Sequence, residues 1–325
     1  MSDASQIICR NLPTSDRFPS KPITLDNYTF QLHGISIDDA YWKGVGDNFE
    51  PEFQRFCRQL IQPDYVCLDI GANIGVKTLF LSQHCRQGRV IAIEAGELVS
   101  ACLATNIVTN ACSNVTSHHA AITSHNGIIM FDELSAWGHQ AETGVEIEAL
   151  TLQTLAARHN LTRLDFIKID VEGGEFPILQ SSLALINHFD SLVHVEFNSF
   201  TLLAFGNTNP RDFLEWICAN FAYVYALNRD GAAGDMLTPV ISSVPTLHRN
   251  LVDDGCVTDL VMSNASHRFK PAPVFLEQQI RTYLAALAQV RAKLEAVQSE
   301  RDALLRSSSW RLTAPLRWIK KQINW

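Results

Sequence analysis

The chain has 325 residues, of which 46% are hydrophobic and 18% are charged, and its formal net charge is −8. This composition predicts a globular protein with room for one large α/β domain and an appendage. Residues 276–325 contain nine lysines and arginines against four acids, which leaves residues 1–275 with a charge of −13. An acidic body without a basic stripe argues against a nucleic-acid polymer as substrate, whereas the basic end favours an anionic surface or partner.

Targeting and redox signals are weak in this sequence. No apolar run is long enough to span a membrane, and Met1–Gln6 lack the basic and apolar regions of a signal peptide. We therefore expect a cytoplasmic protein. The eight cysteines are scattered without a Cys-x-x-Cys pair, which favours buried free thiols over disulfides or zinc.

Residues 1–45 are predicted to form a lead-in and a hairpin. Residues 1–20 are polar and contain two prolines, and the β-type runs 23–25 and 28–32 flank a two-residue turn. Residues 50–61 place five apolar side chains on one helical face, and Pro51 suits the first turn of a helix. We expect this hairpin and helix to flank the main sheet.

The stretch from Val66 to Gly75 predicts a nucleotide-binding crevice. An apolar run ends in Asp69, turns through Gly71 and Gly75, and continues with apolar residues at helical spacing. The glycines allow close approach of a ligand, and a carboxylate at the strand end can accept hydrogen bonds. Gly-x-x-x-Gly is not the Gly-x-Gly-x-x-Gly of a pyrophosphate site, so a ligand without pyrophosphate is favoured. A plain connection between strand and helix is the alternative.

A second buried strand, residues 89–94, ends in Glu94. In a doubly wound fold, an acid at this position accepts hydrogen bonds from the two hydroxyls of a ribose. A solvated glutamate is the alternative. A helix over 97–110 and a third strand over 115–122 are predicted to follow.

His118 and His119 lie near the end of the third strand. A structural role is favoured for them, because no second cluster of metal ligands lies nearby in the sequence. Two further strands are predicted at 127–132 and 144–148. The loop Trp137-Gly138-His139 between them is expected to reach the mouth of the substrate site.

Residues 164–175 mark the place where chemistry is expected. A buried strand carries Lys168, Asp170 and Glu172 to its carboxyl end, and Gly173-Gly174 opens the next helix. Solvated loop charges are the alternative. The remaining predicted elements are a strand at 192–198, a helix at 210–219 capped by Asn209, a strand at 223–227, a turn at 228–231 and a last strand at 257–262.

Taken together, these motifs resemble the FkbM-type S-adenosylmethionine-dependent methyltransferases. The resemblance covers residues 45–262 and rests on Asp69-Ile70-Gly71-Ala72-Asn73-Ile74-Gly75, on Glu94, and on Lys168-Ile169-Asp170-Val171-Glu172-Gly173. It implies a class I, Rossmann-like α/β fold with a seven-stranded, mostly parallel sheet containing one antiparallel strand. It also implies S-adenosylmethionine as cofactor and O-methylation of a sugar or polyketide hydroxyl.

The same resemblance assigns roles to individual residues. The methionine and ribose part of the cofactor would be lined by Asp69, Gly71, Asn73 and Gly75. Glu94 would hold the ribose hydroxyls, and His119 to Ala121 would pass near the adenine. Asp170 and Glu172 would lie between the sulfonium and the acceptor. The implied cofactor-binding residues are Asp69, Gly71, Asn73, Gly75, Glu94, His119, Ala121 and Asp170.

Methyl transfer is an in-line displacement, so the protein mainly aligns the acceptor oxygen and removes its proton. Our hypothesis is that Asp170 or Glu172 orients and deprotonates a sugar hydroxyl, with Lys168 and His139 as weaker catalytic candidates. Asp170, Glu172 and Glu196 also offer oxygen ligands of the kind that magnesium and calcium take. We nevertheless predict a site without metal.

Apolar residues recur at alternating three- and four-residue steps after a linker at 266–275. This pattern predicts a short coiled coil over 276–306, which would make a homo-oligomer or bind a partner helix. A single helix packed on the domain is the alternative. The repeating positions are Ile280, Tyr283, Leu287, Val290, Leu294, Val297, Arg301 and Leu304.

Residues 307–325 contain three tryptophans and four basic residues but no acid. Tryptophan with lysine and arginine is typical of a membrane interface. The run 309–317 also looks like a tail found on bacterial polysaccharide-assembly glycosyltransferases and methyltransferases. We expect peripheral attachment at the inner membrane or docking onto an assembly complex.

The function expected from the sequence is O-methylation of a sugar or glycan hydroxyl in bacterial cell-surface polysaccharide biosynthesis. A non-catalytic, cofactor-binding scaffold is one alternative. An NAD-dependent sugar oxidoreductase is another, although the missing third glycine disfavours it. Methylation of a nucleic-acid base would need an Asn/Asp-Pro-Pro-aromatic strand end, which the sequence lacks.

Overall fold

The computed structural model describes residues 18–133, 138–229, 236–271 and 273–306. Four predicted features lie wholly or partly outside these residues: most of the lead-in, Trp137, part of the turn at 228–231, and the tail at 307–325. The chain divides into two compact units, one ending at Lys270 and the other beginning at Pro271. In the described ranges, none of the helices has the length and apolar character needed to cross a membrane.

The described elements alternate between strands and helices over most of the first unit. The strands are β1 (Ser20–Leu25), β2 (Tyr28–His33), β3 (Val66–Ile70), β4 (Arg89–Glu94), β5 (Val115–His119), β6 (Ala121–Ile122), β7 (Gly127–Asp132), β8 (His139–Gln140), β9 (Val145–Leu150), β10 (Phe166–Ile169), β11 (Leu192–Asn198), β12 (Tyr223–Leu227), β13 (Leu237–Pro239) and β14 (Val257–Ser263). The helices are α1 (Ala40–Gly44), α2 (Pro51–Leu60), α3 (Val76–His84), α4 (Glu97–Thr109), α5 (Leu152–Arg158), α6 (Glu175–His188), α7 (Ser199–Ala204), α8 (Pro210–Asn220), α9 (Ser243–Val252) and α10 (Pro273–Arg306).

The main sheet has the strand order β13-β12-β14-β11-β10-β3-β4-β5. Strands β5, β4, β3, β10 and β11 are parallel, and β14 lies antiparallel between β11 and β12. The predicted α/β fold with a large, mostly parallel sheet is therefore confirmed.

The predicted count of seven strands is wrong for the described residues. The eighth strand, β13, pairs antiparallel with β12, so two strands rather than one oppose the rest. Strand β13 has three residues and ends in Pro239, which only an edge strand tolerates. A run this short gives no periodic signal in the sequence.

A separate four-stranded sheet has the order β6-β9-β7-β8. The sequence predicted one strand over 115–122, but the chain changes sheets at Ala120, whose N–H donates to Glu94 O at 3.1 Å. After this point β6 pairs with β9 instead of continuing beside β4. The strands predicted at 127–132 and 144–148 are β7 and β9, and both belong to this sheet.

The hairpin β1–β2 and helix α2 pack on one face of the main sheet, against α3 and α4. Two asparagines of α4 hold the hairpin: Asn106 Oδ1 accepts from His33 N at 2.7 Å, and Asn110 Oδ1 accepts from Gln31 N at 2.9 Å. Helices α5, α6 and α8 pack against the opposite face. The seven cysteines that the structure describes are free thiols, five of them buried, as the sequence predicted for most of them.

Helix α10 spans 34 residues of the second unit, so the predicted coiled-coil segment is helical. Leu287, Val290, Leu294 and Val297 along it are 55–64% exposed. The pairing of this helix in a coiled coil stays a prediction.

Candidate active site

A cavity of about 750 Å³ opens where the carboxyl ends of β3, β4, β10 and β11 meet. In an open α/β sheet this edge is the usual place for a ligand. Seven of the predicted site residues line the cavity: Gly71, Asn73, Glu94, Ala121, Lys168, Asp170 and Glu172. The cavity therefore joins the two motifs that the sequence placed about 100 residues apart.

The turn after β3 is built around two glycines with positive φ. Gly71 has φ +73°, and a Cβ atom there would overlap the backbone carbonyl of Asp170. Gly75 has φ +95°, and a Cβ atom there would lie 2.5 Å from Leu103 Cδ1. Since only glycine adopts this conformation without a side-chain clash, the backbone of β3 can lie directly against β10.

Glu94 is fixed by the loops on either side of it. Its Oε2 accepts from Asn73 N at 2.8 Å, and its Oε1 accepts from Gly96 N at 2.9 Å. Burial raises the pKa of Glu94, and these N–H groups partly offset that effect. The backbone N–H of Gly96 thus helps to hold the Glu94 carboxyl group in place.

Lys168 is 2% exposed and acts as a buried counter-ion. Its Nζ donates to Gly71 O at 2.7 Å and lies 3.2 Å from both Asp69 Oδ1 and Asp170 Oδ2. Burial would lower the pKa of Lys168, but the Asp170 and Asp69 carboxylates outweigh it and raise the pKa. These contacts favour the charged form of Lys168, and the catalytic role assigned to it stays a prediction.

Lys77, the second residue of α3, was not among the predicted site residues. Its Nζ lies 2.9 Å from Glu50 Oε2 and 3.5 Å from Asp170 Oδ2. Burial would lower the pKa of Lys77, but Glu50 and Asp170 hold it well above its usual value. A lysine in the first turn of a helix opposes the helix dipole, which was the available sequence signal.

The carboxyl groups of Asp170 and Glu172 differ in protonation. Burial would raise the pKa of Asp170, but the ammonium groups of Lys168 and Lys77 lower it to about 2. Burial, and then the charges of Asp170 and Glu175, raise the pKa of Glu172 to about 8. Burial and the Asp170 charge also raise the pKa of Glu196. Neighbouring carboxyl groups with separated pKa values are typical of sites that move a proton.

Oxygens of Asp170, Glu172 and Glu196 lie within 4.8 Å of one another. Such a set can hold a divalent cation. However, Lys77 and Lys168 already neutralise Asp170, which weakens the case for a metal. The predicted absence of a metal stays a prediction and is tested below with a chelator.

Four predicted site residues do not line the cavity. Asp69 is fully buried behind it, where its Oδ2 accepts from Thr78 Oγ1 at 2.5 Å, and Gly75 starts α3. His119 is exposed and its Nε2 donates to Ala95 O at 2.8 Å. The ring of His139 stacks on Phe205, a cavity residue, at a centroid distance of 3.9 Å. The roles assigned to all four stay predictions.

Glu172 should make the protein less stable as the pH rises. Folding raises its pKa from 4.5 to about 8, so between these values the folded protein keeps a proton that the unfolded chain has released. Stability is therefore lost with increasing pH across this window. We expect Glu172→Gln to raise the melting temperature by roughly several degrees at pH 8.5, and by much less at pH 5.

This prediction is measured by thermal unfolding across the pH range. Glu146→Gln, an exposed site outside the cavity, is the matched control. The assignment would be contradicted if the melting temperatures of Glu172→Gln and the unmodified chain differed by the same amount at every pH.

Three solved methyltransferase-related structures are similar to this chain at low identity. The methyltransferase FkbM from Methylobacillus flagellatus KT is 17% identical with a TM-score of 0.40, covering 62% of this chain and 44% of its own. The O-methyltransferase from Bacillus cereus in complex with SAH is 18% identical with a TM-score of 0.36, covering 66% and 79%. M. jannaschii TYW2 in complex with AdoMet is 12% identical with a TM-score of 0.38, covering 76% and 87%. The chain thus spans less than half the length of the Methylobacillus protein, and a comparison with curated proteins gives no match.

The family comparison matches a continuous part of the first unit. Residues 69–225 match the family model described as the methyltransferase FkbM domain. The matched region begins at Asp69, contains the Gly71 turn, Glu94 and the Lys168–Gly173 motif, and ends within β12. Just under half of the chain, residues 69–225, is therefore similar to the methyltransferase FkbM domain.

Proposed function

We propose that this protein transfers the methyl group of S-adenosylmethionine to a hydroxyl of a sugar or glycan. The observation that carries the proposal is the shared cavity, in which the Gly71 turn and Glu94 meet the carboxyl groups of Asp170 and Glu172. A methyl donor held by the Gly71 turn and Glu94 would lie next to a proton acceptor supplied by Asp170 or Glu172.

The residues present suit the cofactor. The turn lines the cavity with Gly71, Ala72 and Asn73, and the carboxylate oxygens of Glu94 can accept hydrogen bonds from two ribose hydroxyls. Apolar side chains such as Leu98, Val99 and Ile122 line the same cavity and suit a flat purine. When bound, the cofactor supplies a methyl group on a positively charged sulfur.

The carboxyl groups of Asp170 and Glu172 would have different roles. Asp170, held as an anion by Lys168 and Lys77, would stabilise the positive charge of the sulfonium. Glu172, with a pKa of about 8, is the better general base, because a base works best with a pKa near the working pH. Positive charge bound beside Glu172 would lower this raised pKa and favour the ionised form of the carboxyl group.

The polar lining of the cavity supports an acceptor rich in hydroxyl groups. Ser124, His125, Gln140, Glu196 and Asn198 offer donors and acceptors from several elements. A sugar presents many hydroxyls and would satisfy such a lining better than an apolar acceptor. A role in bacterial cell-surface polysaccharide biosynthesis rests on the resemblance of the tail at 307–325, which lies outside the described residues.

Calorimetric titration with S-adenosylmethionine, S-adenosylhomocysteine and NAD(H) tests the first half of this proposal. We expect micromolar binding of the first two and none of NAD(H). An acceptor screen over nucleotide sugars and lipid-linked glycans, with and without EDTA, tests the second half, and we expect EDTA to change nothing. Binding of NAD(H) alone would overturn the proposal. Binding of nothing would favour the scaffold alternative.

We also propose that α10 pairs with α10 of a second copy. Its exposed leucines and valines repeat at heptad spacing. If Leu294 lies opposite Val297 of an antiparallel second copy, Lys293 comes beside Glu300 of that copy, which adds charge complementarity. Leu294→Asp is expected to convert a dimer into a monomer, measured by light scattering after size exclusion.

The control for this prediction is Ala292→Asp, which adds the same charge on the opposite side of the heptad. That variant should remain dimeric. A monomeric unmodified chain at tens of micromolar would contradict pairing.

Contact of residues 307–325 with the inner membrane is a separate proposal, tested by co-sedimentation with anionic vesicles before and after deletion of the tail.

A further inference from the structure

Glu50 and Lys77 place an ion pair in the cavity beside Asp170. Lys77 Nζ joins Glu50 Oε2 at 2.9 Å and Asp170 Oδ2 at 3.5 Å, and only 10% of the Lys77 side chain is exposed. Both residues line the same cavity as Gly71. A lysine cation therefore stands next to the carboxylate that would face the sulfonium, where it would repel the methyl donor unless it is balanced.

Glu50 reaches this position from a strained backbone. It precedes α2 with φ +48° and ψ +65°, and its side chain does not cap the helix. Glycine adopts this conformation at lower cost, so the local backbone gives no reason for a glutamate. The preceding residues are tied to β1, because Thr24 N donates to Asp47 Oδ1 at 2.7 Å and Asn48 N donates to Thr24 O at 2.8 Å. The segment that precedes α2 thus places the Glu50 carboxylate beside Lys77.

The ion-paired groups at this end of the cavity carry a net charge of −1 when all of them are ionised; burial raises the pKa of Glu50, and Lys77 acts against this and favours the ionised form. Two ammonium groups, Lys77 and Lys168, face three carboxylates. A ligand with one positive charge brings this cluster to neutrality. Without Glu50 the cluster is already neutral, and Asp170 is the only carboxylate that still forms an ion pair with Lys77 among the described residues.

We propose that Glu50 and Lys77 form a charge-balancing pair that sets the preference of the cavity for S-adenosylmethionine over S-adenosylhomocysteine. The inference rests on the proposed function, since it requires that both compounds bind here. The two ligands differ by one methyl group and one positive charge at sulfur. Glu50 therefore favours the donor over the product, because only the donor carries a positive charge at sulfur.

The test compares the dissociation constants of both compounds by calorimetry for the full-length chain. The variants are Glu50→Gln, Lys77→Met and the double variant. Asp38→Asn is the matched control, because it breaks an exposed lysine pair of similar length, Asp38 Oδ1 to Lys43 Nζ at 3.1 Å. Glu50→Gln is expected to lower the preference for the methyl donor roughly tenfold, mainly through weaker binding of the donor.

Lys77→Met in the Glu50→Gln background is expected to restore the preference to within about threefold of the unmodified value, because the unbalanced cation is gone. Lys77→Met alone should not lower it, and Asp38→Asn should leave it unchanged. An unaltered preference in Glu50→Gln, or a loss of preference in Lys77→Met, would overturn the inference while the proposed function stands. Failure of the unmodified chain to bind either compound would overturn both.

Discussion

Replacing Glu172 with glutamine should lower the rate of methyl transfer by roughly two to four orders of magnitude, the usual contribution of a general base. Glutamine keeps the shape of the side chain but cannot take up the hydroxyl proton. Because Asp170, Lys168 and Lys77 remain in place, the affinity for S-adenosylmethionine should change by no more than a few fold. Turnover must therefore fall without a matching loss of cofactor binding.

The measurement is a single-turnover assay with the acceptor identified by the screen, run from pH 6 to 9. In the unmodified enzyme the rate should rise with pH toward a plateau as Glu172 loses its proton, and this rise should be absent in Glu172→Gln. Glu146→Gln serves as the control. If Glu172→Gln keeps more than about a third of the rate, the base lies elsewhere, and Glu196 is the next residue to replace.

Gly71→Ala should abolish cofactor binding and destabilise the fold by several kcal/mol, the range that marks a severe steric mechanism. The added Cβ would overlap the carbonyl of Asp170, and φ at Gly71 is +73°. Relief would require β3 and β10 to separate, which would also pull Gly71 O away from Lys168 Nζ. One methyl group thus disturbs both halves of the site.

Thermal unfolding and titration with S-adenosylhomocysteine measure this effect. Gly46→Ala is the control, because a Cβ atom there meets nothing within 4 Å and its φ is not positive. Gly46→Ala should leave both the melting temperature and the affinity unchanged. Retention of full affinity by Gly71→Ala would show that the turn can move and that the close approach of the two strands is not required.

The sequence predicted those parts of the fold whose signal is local. Strands β3 and β4 are mostly apolar and carry an acid at or next to their carboxyl ends, as is typical of parallel strands covered on both faces. The bounds of β3, β4 and β11 agree with the prediction to within a residue or two. Helix α8 was predicted from Asn209 and Pro210, and Asn209 Oδ1 does accept from Arg211 N at 2.9 Å.

Elements whose signal depends on distant residues were missed. Helix α7 has six residues, and the side chain that caps it, Asn198, also ends a strand, so the sequence gave no separate start. The change of sheet at Ala120 is decided by pairing with β9, nearly 30 residues later. No local pattern records which partner a strand will choose.

The residues of the candidate site were likewise predicted where their signal is local and missed where it depends on distant residues. Gly71, Glu94 and Asp170 are contained in short motifs, and the structure brings them to one cavity. Glu50 and Lys77 come from separate elements that are joined only in the folded chain. A lysine in a first helical turn and a glutamate before a proline each have ordinary surface explanations, and only their 2.9 Å contact reveals a shared role.

The small sheet β6–β9 lies in the chain between β5 and β10, and its strand pairs are all internal. It contributes Ile129, Phe131 and Gln140 to the cavity, and its described strands form no hydrogen-bonded pair with the main sheet. Changes within residues 127–150 can therefore reshape one wall of the cavity while the strand pairs of the main sheet stay in place. Under the proposed function, this segment is where acceptor preference can diverge while the Gly71 turn and Glu94, which lie outside it, are unchanged.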